Sequence, residues 1–277
     1  MWVGFVQQTL FSYWLFGISV AALSGCSTLP NAAQLQYEES KVAIAHKIGS
    51  TPIVVFQSGL GDGMSVWSAV LQRLPSAVGT FAYDRPGYGS SSSKHNRRDP
   101  CSVARELHEM LRIADIHPPY VLVGHSLGGL YQYAYAKLYP SEVSGILLLD
   151  ATHPEHWATM QRRVPNSAAT VRGLRAIAFS DTERREFDAQ SECIADLRGK
   201  DTPPVTARLL LRGNAEPTES AEFQSMSREL ASRWPELLSG MTISTVDGTG
   251  HYIQKGRPEV VAREIGILVS TVQAKQP

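Results

Sequence analysis

Residues 120–130 read YVLVGHSLGGL. Tyr120-Val121-Leu122-Val123 has the short, uninterrupted apolar character of a strand buried on both faces. It runs directly into Gly124-His125-Ser126-Leu127-Gly128, a G-x-S-x-G pattern, and a helix is predicted from 127 to about 139, where Pro140 stops it. Strand, sharp turn and helix form the context in which this pattern lifts a serine hydroxyl above the edge of a sheet. Gly124 and Gly128 allow strand and helix to approach without β-carbons between them. The helix N-terminus directs backbone N–H groups at the space over the serine, which favours negative charge there. Outside that context the same five residues would describe only a glycine-rich turn with a buried serine.

Upstream, residues 52–56 (PIVVF) form a second buried strand that ends in Gln57-Ser58-Gly59-Leu60-Gly61-Asp62-Gly63. A helix from about 65 to 74 and a strand over 80–83 follow, and then the loop Asp84-Arg85-Pro86-Gly87-Tyr88-Gly89-Ser90. Gly59-x-Gly61 after a strand, with Asp84 some twenty residues on, imitates a dinucleotide fingerprint. The third glycine of that fingerprint is missing, since Met64 stands in its place. The competing reading fits better. A serine attacking a carbonyl builds negative charge on the carbonyl oxygen, and two fixed N–H groups must meet it. One comes from the residue after the serine, Leu127, and the other from the loop after the early strand, where Leu60 is the natural donor. Both leucines would act through the backbone. Asp84 and Arg85 are expected to fix loop structure and not to take part in chemistry.

Ser-Gly-Leu-Gly after the first buried strand, Asp-Arg-Pro-Gly-Tyr-Gly-x-Ser after the next and Gly-His-Ser-Leu-Gly-Gly after the third resemble the α/β-hydrolase superfamily, over a match running from about residue 37 to the C-terminus. The usual His-Gly of the first loop is Ser58-Gly59 here. The resemblance implies an α/β fold with a mostly parallel central sheet, helices on both faces and a helical cap insertion. It implies a metal-free, cofactor-free serine hydrolase acting on a carboxylic ester or a related small acyl compound. Similar folds with haloalkane dehalogenase or epoxide hydrolase chemistry carry aspartate where this chain has Ser126. Thioesterase, lactonase or carbon–carbon hydrolase chemistry on the same residues, or a non-catalytic binding protein on a retained hydrolase fold, remain as alternatives.

A serine hydroxyl needs a neighbouring base, and histidine suits that role near neutrality. The superfamily places serine, acid and histidine in that chain order. His251 satisfies it, following a strand over 241–246 and the turn Asp247-Gly248-Thr249-Gly250 and preceding a helix over about 258–272. His125 adjoins the serine but is expected to be aimed away by the turn. Two carboxylates compete for the acid. Asp150 ends the strand 146–149 and is short and fixed; Glu216 lies in the Gly213-Asn214-Ala215 loop after the strand 206–211, nearer the superfamily's usual position. The geometry of the role favours Asp150, with Glu216 as the alternative acid.

Between 151 and 204 the strand–helix rhythm breaks into amphipathic stretches such as 168–179 and 182–197, read as a cap between the core segments 37–150 and 205–277. Trp157, Met160 and Phe187 are its candidate pocket liners. His153 and His156 have no third ligand spaced to hold a metal, so no metal site is expected.

Residues 1–25 carry no charge, and the mostly apolar run 10–23 ends in Leu23-Ser24-Gly25-Cys26. This resembles the signal and lipobox of bacterial lipoproteins, with Cys26 lipidated and 26–36 a linker, although no Lys or Arg precedes the apolar run. An uncleaved membrane anchor is the second reading. The resemblance implies an exported, membrane-anchored protein, and Ser27 after the cysteine implies the outer membrane facing the periplasm in a Gram-negative cell. Cys101 and Cys193 are then left over, and export permits a disulfide between cap and core without requiring one. With 26 basic against 26 acidic residues and no long basic run, the chain has no nucleic-acid footprint. Nothing in the sequence fixes an oligomeric state.

Overall fold

The structure is a computed structural model that describes residues 29, 31–93, 96–200 and 205–275. Cys26, the apolar segment before it and the lipobox lie outside the described residues. Eight strands build one sheet in the order β1-β2-β4-β3-β5-β6-β7-β8. They are β1 (Ala32–Tyr37), β2 (Ser40–Lys47), β3 (Ser50–Gln57), β4 (Val78–Tyr83), β5 (Tyr120–His125), β6 (Val143–Leu149), β7 (Thr206–Arg212) and β8 (Thr242–Val246). β1 pairs antiparallel with β2 and β2 antiparallel with β4, and every other pair is parallel. The sheet begins earlier than the sequence suggests. Residues 32–36, read as linker, form most of β1, because their backbone pairs residue by residue with β2, from Ala32 opposite Ala45 to Tyr37 opposite Ser40.

The central strands are apolar along their whole length because helices cover both faces. On one face lie α1 (Ser68–Leu71), reached through a short 3₁₀ turn, and α10 (Ile253–Gly256) and α11 (Pro258–Gln273), packed on Val54, Phe56, Val121, Val123, Leu147 and Leu149. On the other lie α2 (Pro100–Ile113) and α3 (Leu127–Leu138), packed on Val55, Leu122, Ile146 and Leu148. Leu147 is fully buried, and its truncation to alanine would cost about 2–5 kcal/mol in lost transfer energy and cavity formation. The start of α2 is fixed locally: Asp99 caps it by accepting from the Ser102 N–H at 3.0 Å, and Pro100 occupies its first turn.

Four helices, α4 (His156–Arg163), α5 (Pro165–Ala178), α6 (Asp181–Ala189) and α7 (Ile194–Arg198), are inserted between β6 and β7. The amphipathic stretch 182–197 is not one helix. It breaks after Ala189 because Cys193 takes a left-handed conformation (φ 58°) and is disulfide-bonded to Cys101 at the start of α2. The remaining helices, α8 (Ala221–Ser232) and α9 (Trp234–Leu237), separate β7 from β8. No helix among the described residues is long and apolar enough to cross a membrane.

Candidate active site

The serine, the histidine and both candidate acids fall at the carboxyl ends of parallel strands. Ser126 follows β5, Asp150 follows β6, Glu216 lies beyond β7 and His251 lies beyond β8. In an open α/β sheet this end is where loops converge on a ligand crevice.

Ser126 sits at φ 53°, ψ −123°, a conformation L-residues rarely adopt. It is held there from both sides: its N–H donates to Leu149 O at 3.0 Å, and its carbonyl accepts from Gly129 N–H and Thr152 N–H, each at 3.0 Å. The turn is this tight because α3 starts against the end of β3. A β-carbon on Gly128 would lie 2.3 Å from Gln57 O, so only glycine fits.

The histidine and both candidate acids meet. Nδ1 of His251 donates to Asp150 Oδ2 at 2.7 Å. Asp150 is itself fixed: its N–H donates to Leu210 O at 2.8 Å, and Arg212 Nε lies 3.4 Å from the same Oδ2. Burial pushes the Asp150 carboxyl up, but the His251 hydrogen bond, the charge of His251 and that of Arg212 outweigh it, and the net direction is below the usual carboxylate value. Glu216 reaches the same histidine elsewhere, as Oε1 accepts from the His251 backbone N–H at 3.1 Å. One carboxylate therefore holds the ring and the other holds the main chain.

His125, expected to be aimed away from the serine by the turn, lines neither cavity that Ser126 lines. Strand alternation turns its ring inward beneath the His251 loop, where Nε2 donates to His251 O at 3.0 Å and the two imidazole centroids lie 4.6 Å apart. With Nε2 as the donor, Nδ1 is the unprotonated nitrogen; it lies 3.9 Å from Asp62 Oδ2. Burial, with the neighbouring charge of His251 adding to it, pushes His125 down to about 3 and keeps it neutral.

The first loop is clamped from below. Asp84 accepts from Met64 N–H at 2.6 Å and from Ser90 N–H at 2.8 Å, joining two loops. Arg85 donates to Ser58 O at 2.6 Å and Gly59 O at 2.7 Å. Arg85 fixes the loop as expected, whereas Arg212 carries no local motif that separates it from structural polar residues, and only its contact with Asp150, distant in sequence, reveals it.

Two cavities meet at Ser126. One, of about 670 Å³, is lined by Asp150, His251, Arg212, Gln224, Ser227 and Arg228 among others. The other, of about 490 Å³, is lined by Leu60, Leu127, Trp157, Met160, Leu174 and Phe187 among others. His156 and Phe223 line both. His153 is buried with Nδ1 accepting from Glu155 N–H at 3.1 Å, while His156 faces Phe223 edge-on.

These features are an α/β fold that gathers Ser126, Asp150 and His251, in that chain order, at the carboxyl end of its sheet. The family model described as alpha/beta hydrolase fold matches residues 52–192, just over half of the sequence. The chain belongs to the alpha/beta hydrolase fold family. It is 32% identical over 106 residues to the uncharacterized protein YqjL of Bacillus subtilis, covering 38% of this chain and 42% of that one. The chain spans less than half the length of the first curated relatives it matches. Among solved structures, a thermophilic esterase from Thermogutta terrifontis aligns with a TM-score of 0.59 at 18% identity, over 87% of this chain and 98% of that one. A loop variant of the haloalkane dehalogenase DbeA from Bradyrhizobium elkanii aligns with a TM-score of 0.66 at 15% identity, over 88% and 97%. At these identities the structural likeness speaks to the fold alone.

Proposed function

We propose that this protein is a serine hydrolase that cleaves a carboxylic ester or a related acyl substrate through an acyl-enzyme. The observation that carries the reading is the 2.7 Å hydrogen bond from His251 Nδ1 to Asp150 in the cavity that Ser126 also lines. With Nδ1 committed as a donor, Nε2 is the nitrogen left to accept the Ser126 proton. Ser126 Oγ attacks the carbonyl carbon while His251 takes its proton. Asp150 holds the tautomer and stabilises the resulting imidazolium. The N–H groups of Leu60 and Leu127 meet the developing oxyanion. His251 then returns the proton to the leaving oxygen, the alcohol departs, and water activated by the same imidazole releases the acid and restores Ser126. Glu216 acts as a positioning residue that holds the histidine main chain.

The two cavities suit the two halves of such a substrate. The leaving group must lie within reach of His251 to be protonated, so the cavity that His251 lines, with Arg228, Gln224 and Ser227 in its wall, takes the alcohol. The acyl chain lies beside the oxyanion donors, in the apolar cavity under Trp157, Met160, Leu174 and Phe187, which makes the inserted helices a cap that shapes acyl specificity. A lipid anchor at Cys26 on an exported chain is part of the same proposal. A disulfide such as Cys101–Cys193 is at home in an oxidising compartment. Loss of acyl labelling in Cys26→Ser is its test.

The test of the chemistry is the intact mass of the protein before and after treatment with a fluorophosphonate, beside Ser126→Ala. One adduct on the wild type and none on the variant is the expected result, followed by turnover of a panel of esters. A folded wild type that takes no adduct and turns over no ester overturns the proposal.

A further inference from the structure

The inserted helix α6 is linked to the loop that carries the Leu60 N–H through a buried charge network centred on Arg85. Glu186, on α6, is fully buried and accepts five hydrogen bonds: from Arg85 Nε and Nη2 at 3.0 and 3.1 Å, from Arg98 Nε and Nη2 at 3.2 and 2.5 Å, and from the Tyr88 hydroxyl at 2.9 Å. Arg98 also pairs with Glu106 on α2 at 3.1 Å. Two buried arginines thus face two buried glutamates, and no net charge is left over.

Arg85 is the member that matters for chemistry. Its remaining donors grip the carbonyls of Ser58 and Gly59 at 2.6 and 2.7 Å. Both following peptides are trans, and a trans peptide points its N–H opposite to its C=O. Drawing the Gly59 carbonyl down onto Arg85 therefore turns the Leu60 N–H up, toward the cavity that holds Ser126. A cation on the carbonyl also polarises the peptide and strengthens its N–H as a donor. The rotamer that lets Arg85 reach both carbonyls is set by the fork it makes with Glu186.

Two close approaches seat α6 on the same loops. A β-carbon on Gly87 would lie 2.2 Å from Thr182 Oγ1, and one on Gly61 would lie 2.7 Å from Glu183 Oε1, so the first turn of α6 rests on bare backbone at both points. The disulfide at Cys193 fastens the chain just beyond the far end of the helix to α2.

We propose that Glu186 acts through Arg85 as a positioning residue for the oxyanion loop, so that the hole is assembled only when the inserted helices are seated on the core. The inference rests on the serine hydrolase reading given above. The insertion is then more than a wall of the acyl cavity, because one of its side chains sets the direction of a backbone donor in the core.

Glu186→Gln and Arg85→Lys test it, with Tyr88→Phe as a variant that removes one bond to Glu186 without changing charge. Active sites are counted in each by the end point of fluorophosphonate labelling, below the melting temperature of that variant. Per labelled site, kcat on an ester is expected to fall about 10- to 100-fold for Glu186→Gln and Arg85→Lys, short of or reaching the loss on deleting a donor, with KM within about twofold. Tyr88→Phe should lose less than about threefold. Inhibition by a boronic acid, whose tetrahedral adduct uses the same hole, should weaken in step with kcat. Lower melting temperatures with unchanged kcat per site and unchanged boronate affinity would overturn the proposal and leave the network a structural staple, as would a variant too unstable to label beside a Tyr88→Phe of normal boronate affinity and an Arg85→Lys of normal kcat. A wild type that neither labels nor hydrolyses an ester removes the serine hydrolase reading itself, and this inference with it.

Discussion

Asp150 and His251 stand 101 positions apart in the chain and are joined by a 2.7 Å hydrogen bond, Nδ1 donating to Oδ2. Glu216 holds the backbone N–H of the same histidine at 3.1 Å. The two carboxylates that compete in the sequence are therefore partners in the structure, and their different contacts make their substitutions separable.

Asp150→Asn is expected to lower kcat by about 10⁴, because an amide cannot stabilise the imidazolium and can enforce the wrong tautomer. Glu216→Gln keeps an oxygen that can accept from the His251 N–H and should cost no more than about tenfold. Steady-state kinetics on one ester decides between them. A larger loss in Glu216→Gln would exchange the roles assigned here.

Acid should destabilise the fold before the ordinary carboxylates titrate. His125 and His153 are buried, and burial pushes them down to about 3 and about 4 from the ordinary imidazole value of 6.5. A group whose pKa is depressed by folding gives stability that is complete above its unfolded pKa and is lost as the pH falls toward its folded one. The window therefore opens near pH 6.5 and extends down to about 3–4. By pH 5 a histidine kept neutral by the fold costs about 2 kcal/mol. Thermal melts from pH 8 to pH 4 should show the decline, and His125→Gln should flatten it. An unchanged slope in that variant would remove His125 as its source.

Reduction of Cys101–Cys193, or the double change to serine, releases a closure across 92 positions. The expected loss is about 2–4 kcal/mol, which corresponds to roughly 5–15 °C in melting temperature for a chain of this size. Calorimetry with and without reductant reads it directly, and a shift under about 2 °C would mean that the unbridged chain already holds α6 and α7 in place.

The apolar cavity should govern acyl length. Trp157 packs edge-on against Phe187 with centroids 4.7 Å apart, and both line it. Trp157→Ala is expected to shift kcat/KM toward longer acyl chains by at least about tenfold relative to short ones, within the range a hydrophobic pocket can discriminate. Arg228→Ala, in the other cavity, should leave that ratio alone and alter the preference among alcohols. Both effects appear in one panel of p-nitrophenyl and glyceryl esters. An acyl profile that moves with Arg228 and not with Trp157 would reverse the assignment of the cavities.

The sequence by itself determined the features that depend on neighbours in the chain. The strand 120–123, the glycines at 124 and 128 and the helix behind them fix the strained Ser126, because a tight turn between a buried strand and a helix is a local steric problem with few solutions. The apolar runs of β3, β5 and β6 announce a sheet covered on both faces for the same local reason. Tertiary structure decided the rest. Strand order brings β6 between β5 and β7, and this settles which carboxylate reaches the imidazole ring and which only its main chain. It turned His125 inward beneath the His251 loop, and it paired Arg85 with Glu186, also 101 positions away. A hydrogen bond or an ion pair is set by distances of about 3 Å between side chains. Residue types and their spacing limit which groups can meet, but only the packed sheet, with its loops gathered at one end, brings particular pairs that close.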